Sequence, residues 1–191
     1  MKAGKNPVDT AQYFEGRVMC LKLDSKRLYI LALSCDEVGL LAEDIASLEA
    51  RLGLVYKGAS LEGHLLNVTR EQYNKITSDK ENYLWHTFWM FILKDSKTII
   101  GSACFKGTPD IDGAVEIGYG TNELFQNKGY TSEAVCSLCR WALTQAGVKS
   151  VIAETEKDNI PSQKVLEKNG FDVYHQTADS LWWRISAPCI D

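Results

Sequence analysis

Between Ala114 and Glu156 the hydrophobic pattern changes period twice, from strand to helix and back. The run AVEIGY alternates, with Val115, Ile117 and Tyr119 on one face and Glu116 and Gly118 on the other, as a strand does. From Thr131 to Ala146 the residues Ala134, Val135, Leu138, Ala142 and Ala146 form an apolar helical stripe. Glu133, Ser137, Arg140 and Thr144 lie opposite, and Gly147 ends the run. VKSVIAETE then reads as a strand again. Such a strand–helix–strand unit crosses right-handed within one sheet, which makes the chain a mixed α/β domain.

The flanks extend this unit. KRLYILALS is a first strand, and residues 36–53 place Val38, Leu41, Ile45, Leu48 and Leu52 at the spacing of one helix. LEGHLLNVTREQYNKITSD is a second helix. YLWHTFWMFILK and KTIIGSACFKG are aromatic and β-branched and flank Lys94-Asp95-Ser96-Lys97, a hairpin that AVEIGY extends into a meander. NIPSQKVLEKNG is a short helix: Asn159 caps it, Pro161 lies in its first turn, and Gly170 sits just past its end. A Schellman turn there returns Phe171 onto Leu166. FDVYHQ and SLWWRIS are the last strands. One domain over residues 1–191 is expected, its first ~24 residues an extension.

With 45% hydrophobic residues in 191, the chain has material for a full core. A formal charge of -4 and a pI near 5.5 argue against a nucleic-acid partner. The apolar runs LYILAL and LWHTFWMFIL fall short of the ~20 residues needed to span a membrane. MKAGKNPVDTAQ has no apolar stretch behind its lysines, so no secretory signal is expected and the cytoplasm is the expected location. The six cysteines are expected as free thiols. Cys136 and Cys139 form a C-x-x-C inside a helical pattern, and His64, His86 and His175 are scattered, so no metal site is expected. The sequence carries no signal for oligomeric state.

The stretch QNKGYTSEAV sets a polar, glycine-bearing turn directly at a helix start. A helix start exposes unpaired N–H groups and the positive end of the dipole, and a preceding glycine lets them converge on an anion. Gln126, Asn127, Lys128, Gly129, Tyr130 and Thr131 form that candidate cradle. Taken alone, one glycine beside a helix is usually an ordinary turn.

In order and spacing, these residues resemble the GNAT family of acetyl-coenzyme A-dependent N-acetyltransferases, in particular its RimJ/RimL-like branch. The family signature Arg/Gln-x-x-Gly-x-Gly/Ala reads here as Gln126-x-x-Gly129-x-Thr131. EIGYG at 116–120 and GYTSEA at 129–134 are similar to the branch's strand and helix start. Asn159-x-x-Ser162 followed by VLEKNGF resembles the second cofactor motif, and SKRLYILALSCDEVGLLAED resembles the branch's first strand and helix. The resemblance runs from Ser25 to Arg184. Thr131 departs from the small Gly or Ala, and Leu166 stands where many relatives carry a tyrosine general acid.

The resemblance implies a mixed, mostly antiparallel central sheet flanked by helices. Its central strands AVEIGY and VIAET would splay near Tyr119, where Gly118 and Gly120 ease a bulge. It further implies acetyl-coenzyme A as cofactor, its diphosphate on residues 126–131 and its reactive end near the backbone of Ile117, Gly118 and Tyr119. Asn159 and Ser162 would meet the pantetheine. A primary amine, a protein N-terminus or a small molecule, would accept the acetyl group.

Only a free-base amine attacks a thioester, and pKa values of ~10.4 for lysine and ~7.7–8.0 for an α-amine make deprotonation necessary near neutrality. Glu116 is the candidate base, through a water; as a strand residue it equally suits pairing with a lysine. Ser162 is the candidate donor to the sulfur, or a helix-capping residue. Trp85, Trp89, Trp182 and Trp183 fit either sheet core or an acceptor pocket. Lys164 and Lys168 fit either a 3′-phosphate contact or a solvated face. A non-catalytic acyl-coenzyme A-binding sensor or interaction module is the alternative, favoured by Thr131 and Leu166. Neither G-x-G-x-x-G nor G-x-x-x-x-G-K-[ST] occurs, which disfavours other nucleotide-binding α/β proteins.

Overall fold

Nine strands and six α-helices make up residues 21–57 and 61–186, the parts of the chain that the computed structural model describes. In chain order they begin with β1 (Lys22–Asp24), β2 (Leu28–Ala32), α1 (Cys35–Glu43), α2 (Ile45–Leu52) and β3 (Val55–Tyr56). Next come α3 (Gly63–Ser78), α4 (Tyr83–His86), β4 (Phe88–Leu93), β5 (Thr98–Phe105) and β6 (Ala114–Thr121). A 3-10 turn at Glu123–Phe125 leads to α5 (Tyr130–Leu143), β7 (Ser150–Glu156), α6 (Ile160–Lys168), β8 (Asp172–Gln176) and β9 (Ser180–Ile185).

The strands form one sheet in the order β1-β2-β4-β5-β6-β7-β9-β8, with β3 parallel to β5 at its side. Along this path every pairing is antiparallel except β6–β7. Val38, Leu41, Leu48 and Ile76 of α1–α3 pack on one face against Phe88, Met90, Ile92 and Ile99. On the other, Ala134, Val135, Leu138 and Ala142 of α5 and Leu166 of α6 pack against Ile30, Phe91, Val115 and Ile117. All six β4 residues are buried because both layers cover them.

The short helix is built as its sequence reads. Asn159 accepts from the Ser162 N–H at 3.2 Å, Gly170 has φ +79°, and the Phe171 N–H reaches the Leu166 carbonyl at 3.1 Å.

Other expectations are corrected. The helix expected over residues 36–53 is two, because Asp44 adopts φ −151°, ends α1 and caps α2 by accepting from the Ser47 N–H at 3.2 Å. The strand expected from Tyr83 starts at Phe88; the preceding turn is helical and sets Trp85 against Trp141 and Phe105, with ring centroids 4.9 and 5.1 Å away. Lys22–Asp24, read as the end of an extension, is an edge strand on β2. Residues 1–20 lie outside the described residues.

The central strands do splay, and earlier than Tyr119. β6 pairs with β7 only from Ala114 to Glu116, opposite Ser150 to Ile152, while β7 continues along β9 to Glu156. No bulge interrupts β6, whose register on β5 is unbroken from Ile117 to Thr121. Gly118 and Gly120 instead leave open space: a Cβ added at either would meet nothing within 4 Å.

Candidate active site

The opening exposes one row of backbone groups. Lys106 N–H bonds the Glu116 carbonyl and Asn122 N–H bonds the Ile100 carbonyl, both at 2.9 Å, so even-numbered β6 residues face β5. By the alternation of an antiparallel ladder, Ile117 and Tyr119 aim their N–H and C=O groups into the gap that β7 leaves. Buried strand edges demand partners. This one suits an extended, amide-bearing ligand that adds to the sheet.

At the far end of that edge sits the turn. Gln126 donates its side-chain N–H to the Thr121 carbonyl at 3.1 Å, and the Thr121 and Thr131 hydroxyls are 2.7 Å apart. Asn127 (φ +60°) and Gly129 (φ +74°) both adopt left-handed backbone, which curls the N–H groups inward. α5 has no side-chain cap at its N-terminus, and its first intrahelical bond runs from Glu133 N–H to the Gly129 carbonyl at 3.2 Å. The N–H groups of Tyr130, Thr131 and Ser132 precede that bond and point out of the helix end. The Thr131 hydroxyl is engaged by Thr121, so the departure from glycine or alanine fastens the turn to β6.

Cations surround this turn. A Cβ built on Gly129 would lie 3.5 Å from Arg27 Nη2 and 3.9 Å from Lys168 Nζ. Arg27 donates from Nη1 to the Lys128 carbonyl at 2.9 Å, pairs through Nε with Glu133 at 2.7 Å, and stacks 4.4 Å from the Tyr130 ring centroid. Burial works to raise the Glu133 carboxyl; hydrogen bonds from Arg27 and Ser25 outweigh it and hold the group below its ordinary 4.5. Lys128 turns its ammonium back onto the Leu124 carbonyl at 3.0 Å. Arg27 escaped the sequence reading because it lies 101 residues from Lys128. Lys168 is the lysine of the short helix that reaches the turn.

Glu116 stands where β6–β7 pairing ends, on the sheet face opposite Val115 and Ile117 and beside the open space over Gly118 and Gly120. It pairs with Lys106, and the two side chains are 19% and 54% exposed. On the α5–α6 face, Tyr119 donates its hydroxyl to the Ser162 carbonyl at 3.1 Å. Burial pushes that phenol well above the usual tyrosine range. Asn159 caps α6 by accepting from the Ser162 N–H, and the Ser162 carbonyl meets Tyr119, so the first turn of α6 stands across the opening from that residue. Trp85, Trp89 and Trp183 are core residues, buried to 9, 0 and 4% exposure, and no acceptor pocket forms from them. Leu166 is fully buried.

Carboxylate, open strand edge and anion cradle thus follow one another along β6, from Glu116 to the turn tied to Thr121. The four residue steps from Ile117 to Thr121 span about 13 Å. Acetyl-coenzyme A fits this arrangement: the edge suits its amide-bearing arm, and the left-handed Gly129 leaves room for a diphosphate where a Cβ would intrude.

Known proteins match this architecture. Residues 57–172, more than half of the chain, match the family model of the acetyltransferase (GNAT) domain. The "Uncharacterized N-acetyltransferase YjdG" of Bacillus subtilis (strain 168) is 42% identical over 95 residues, covering 50% of this chain and 56% of the relative. The chain matches about half the length of such curated relatives. Among solved structures, apo RimL, the ribosomal L7/L12 alpha-N-protein acetyltransferase, superposes with a TM-score of 0.66 at 16% identity, covering 92% of this chain and 99% of that one. RimL in complex with coenzyme A gives 0.57 at 18% identity, covering 85% and 95%. At those identities the likeness is one of fold. Among the described residues, no helix is long and apolar enough to cross a membrane. With its family model matched and its central strands opened beside a glycine turn, the chain belongs to the acetyltransferase (GNAT) domain family.

Proposed function

We propose that the protein is an acetyl-coenzyme A-dependent N-acetyltransferase that moves an acetyl group directly to a primary amine. The observation that carries this reading is the unpaired β6 edge, bounded by a carboxylate at one end and an uncapped helix turn at the other. When bound, acetyl-coenzyme A supplies a thioester, an acyl donor with a thiolate leaving group.

The chain's residues divide the remaining work. The N–H groups of Tyr130 to Ser132 and the turn at Gln126–Gly129 hold the diphosphate, with Arg27 and Lys168 neutralising its charge. The N–H groups of Ile117 and Tyr119 offer hydrogen bonds to the arm and to the oxygen on which negative charge develops. Asn159 and Ser162 line the opposite wall. Glu116 takes the acceptor's proton through a water, and the space over Gly118 and Gly120 admits the amine on that face. Lys106 holds the Glu116 carboxylate in place.

The family relation and the fold shared with a ribosomal-protein α-N-acetyltransferase support the reading. For the acceptor they leave two classes, a protein N-terminus and a small-molecule amine. Thiol release from acetyl-coenzyme A over a panel of both tests it. Amine-dependent release with a matching acetylated product is expected; cofactor binding without release for any amine indicates an acyl-coenzyme A sensor and overturns the enzymatic reading.

A further inference from the structure

The opening between β6 and α6 is bridged by a phenol. Tyr119 packs against the buried core on the α5–α6 face and donates its hydroxyl to the Ser162 carbonyl at 3.1 Å. That carbonyl lies in the first turn of α6, where the N–H of Leu166, four residues on, is its helical partner. It does not depend on the phenol. A tyrosine hydroxyl has a single proton to donate, so here that proton is held by an acceptor that can release it. Leu166 is buried and has no hydroxyl, and the Thr131 hydroxyl is engaged with Thr121, which leaves the Ser162 hydroxyl as the rival donor.

Tyr119 and Glu116 sit on opposite faces of β6, because they are three residues apart along a strand. Beside them the β6–β7 pairing has ended, so β7 no longer covers that edge of β6. An amine that arrives on the Glu116 face therefore leaves the departing group facing α5 and α6.

We propose that Tyr119 is a catalytic residue whose hydroxyl turns from the Ser162 carbonyl to donate a hydrogen bond to the departing sulfur. The proposal rests on the acetyltransferase reading above. In the step, the nitrogen lone pair forms the C–N bond, the C–S bond breaks, and its electron pair moves onto sulfur. The proton of the amine leaves through Glu116 to solvent. Tyr119 keeps its own proton, since burial holds the phenol far from ionisation, and it stabilises the thiolate as a donor only.

Tyr119→Phe and Ser162→Ala separate this role from its rivals, because Ser162→Ala keeps the backbone carbonyl that Tyr119 contacts. One readout needs no turnover: the ultraviolet absorbance of the thiolate of bound coenzyme A, titrated against pH. Tyr119→Phe should raise the pKa of the bound thiol by about one unit or more, equivalent to a tenfold or greater loss of thiolate stabilisation. Its kcat should fall about 10- to 100-fold, the effect of one hydrogen bond to a charged group. Melting temperature and affinity for desulfo-coenzyme A should stay close to wild type. Ser162→Ala should leave the thiol titration where wild type has it.

An unchanged thiol titration in Tyr119→Phe overturns the proposal, as does a shift seen only in Ser162→Ala. Equal losses of melting temperature and of affinity for coenzyme A and desulfo-coenzyme A, without a titration shift, make the phenol a strut and also overturn it. Failure of the acetyltransferase reading looks different. Wild type then releases no thiol with any amine, whatever the titration gives, and the catalytic role of Tyr119 falls with it.

Discussion

Replacing Gly129 by alanine tests the phosphate turn with two separable magnitudes. Gly129 has φ +74° and ψ 9°, and in such left-handed backbone an L-residue costs about 1–2 kcal/mol. Steric cost adds little, because the new Cβ would meet only the flexible ends of Arg27 and Lys168 at 3.5 and 3.9 Å. At about 2–4 °C per kcal/mol for a domain of this size, melting should fall by roughly 2–8 °C. Binding should suffer separately, since the methyl group enters the space between two cations that the proposal gives to the diphosphate. Loss of one charge-assisted hydrogen bond, about 1.5–3 kcal/mol, weakens coenzyme A roughly 10- to 150-fold. Valine, with its β-branch, should fold less well and abolish binding.

Gly170→Ala is the control: its φ is +79°, an added Cβ would meet only Ile185 at 3.9 Å, and it lies beyond the far end of α6. It should melt as early as Gly129→Ala yet bind coenzyme A normally by isothermal titration. Wild-type affinity in Gly129→Ala, or equal losses in both variants, would refute the assignment of the diphosphate to this turn.

Three further outcomes follow from the same geometry. Glu116→Gln should lower turnover by roughly 10²–10⁴-fold with acetyl-coenzyme A affinity little changed, and higher pH should partly restore it by supplying free-base amine; full activity would leave Glu116 only its pairing with Lys106. Glu133 is depressed in the folded state, so its stabilisation is present above about 4.5 and is lost as pH falls through the folded value. Urea denaturation from neutral to acid pH should therefore show a flatter profile for Glu133→Gln than for wild type in that acid range, and parallel profiles would remove the Arg27–Glu133 network from the pH response. Leu166→Ala should destabilise by about 2–5 kcal/mol in chemical denaturation, because the side chain is fully buried; a loss under 1 kcal/mol would mean the site collapses without a cavity.

Local chemistry made part of this structure legible. The Asn159 cap, Pro161 and Gly170 act within a few residues of one another, and the helix they bound is where the sequence puts it. Gly129 was readable for the same reason, whereas its guanidinium neighbour was not. Arg27 reaches Lys128 and Glu133 across more than a hundred residues, and nothing in the turn that carries it signals that contact. Asp44 hid its break because the apolar spacing on either side stays in phase. Trp85 read as strand because it is aromatic, but its packing on Trp141 requires the helical turn. The splay begins at Glu116 rather than Tyr119, while β7 runs on along β9 to Glu156; where two strands stop pairing is not written in the alternation of either one.

A crystal structure with coenzyme A bound is the most direct test that the opened edge of β6 is the cofactor site. The pantetheine arm should add to the backbone of Ile117 and Tyr119 in the gap beside β7, with the diphosphate on the turn at Gln126–Thr131 and Arg27 and Lys168 on either side. Coenzyme A located elsewhere, or β6 and β7 paired beyond Glu116 with the gap closed, would contradict the account.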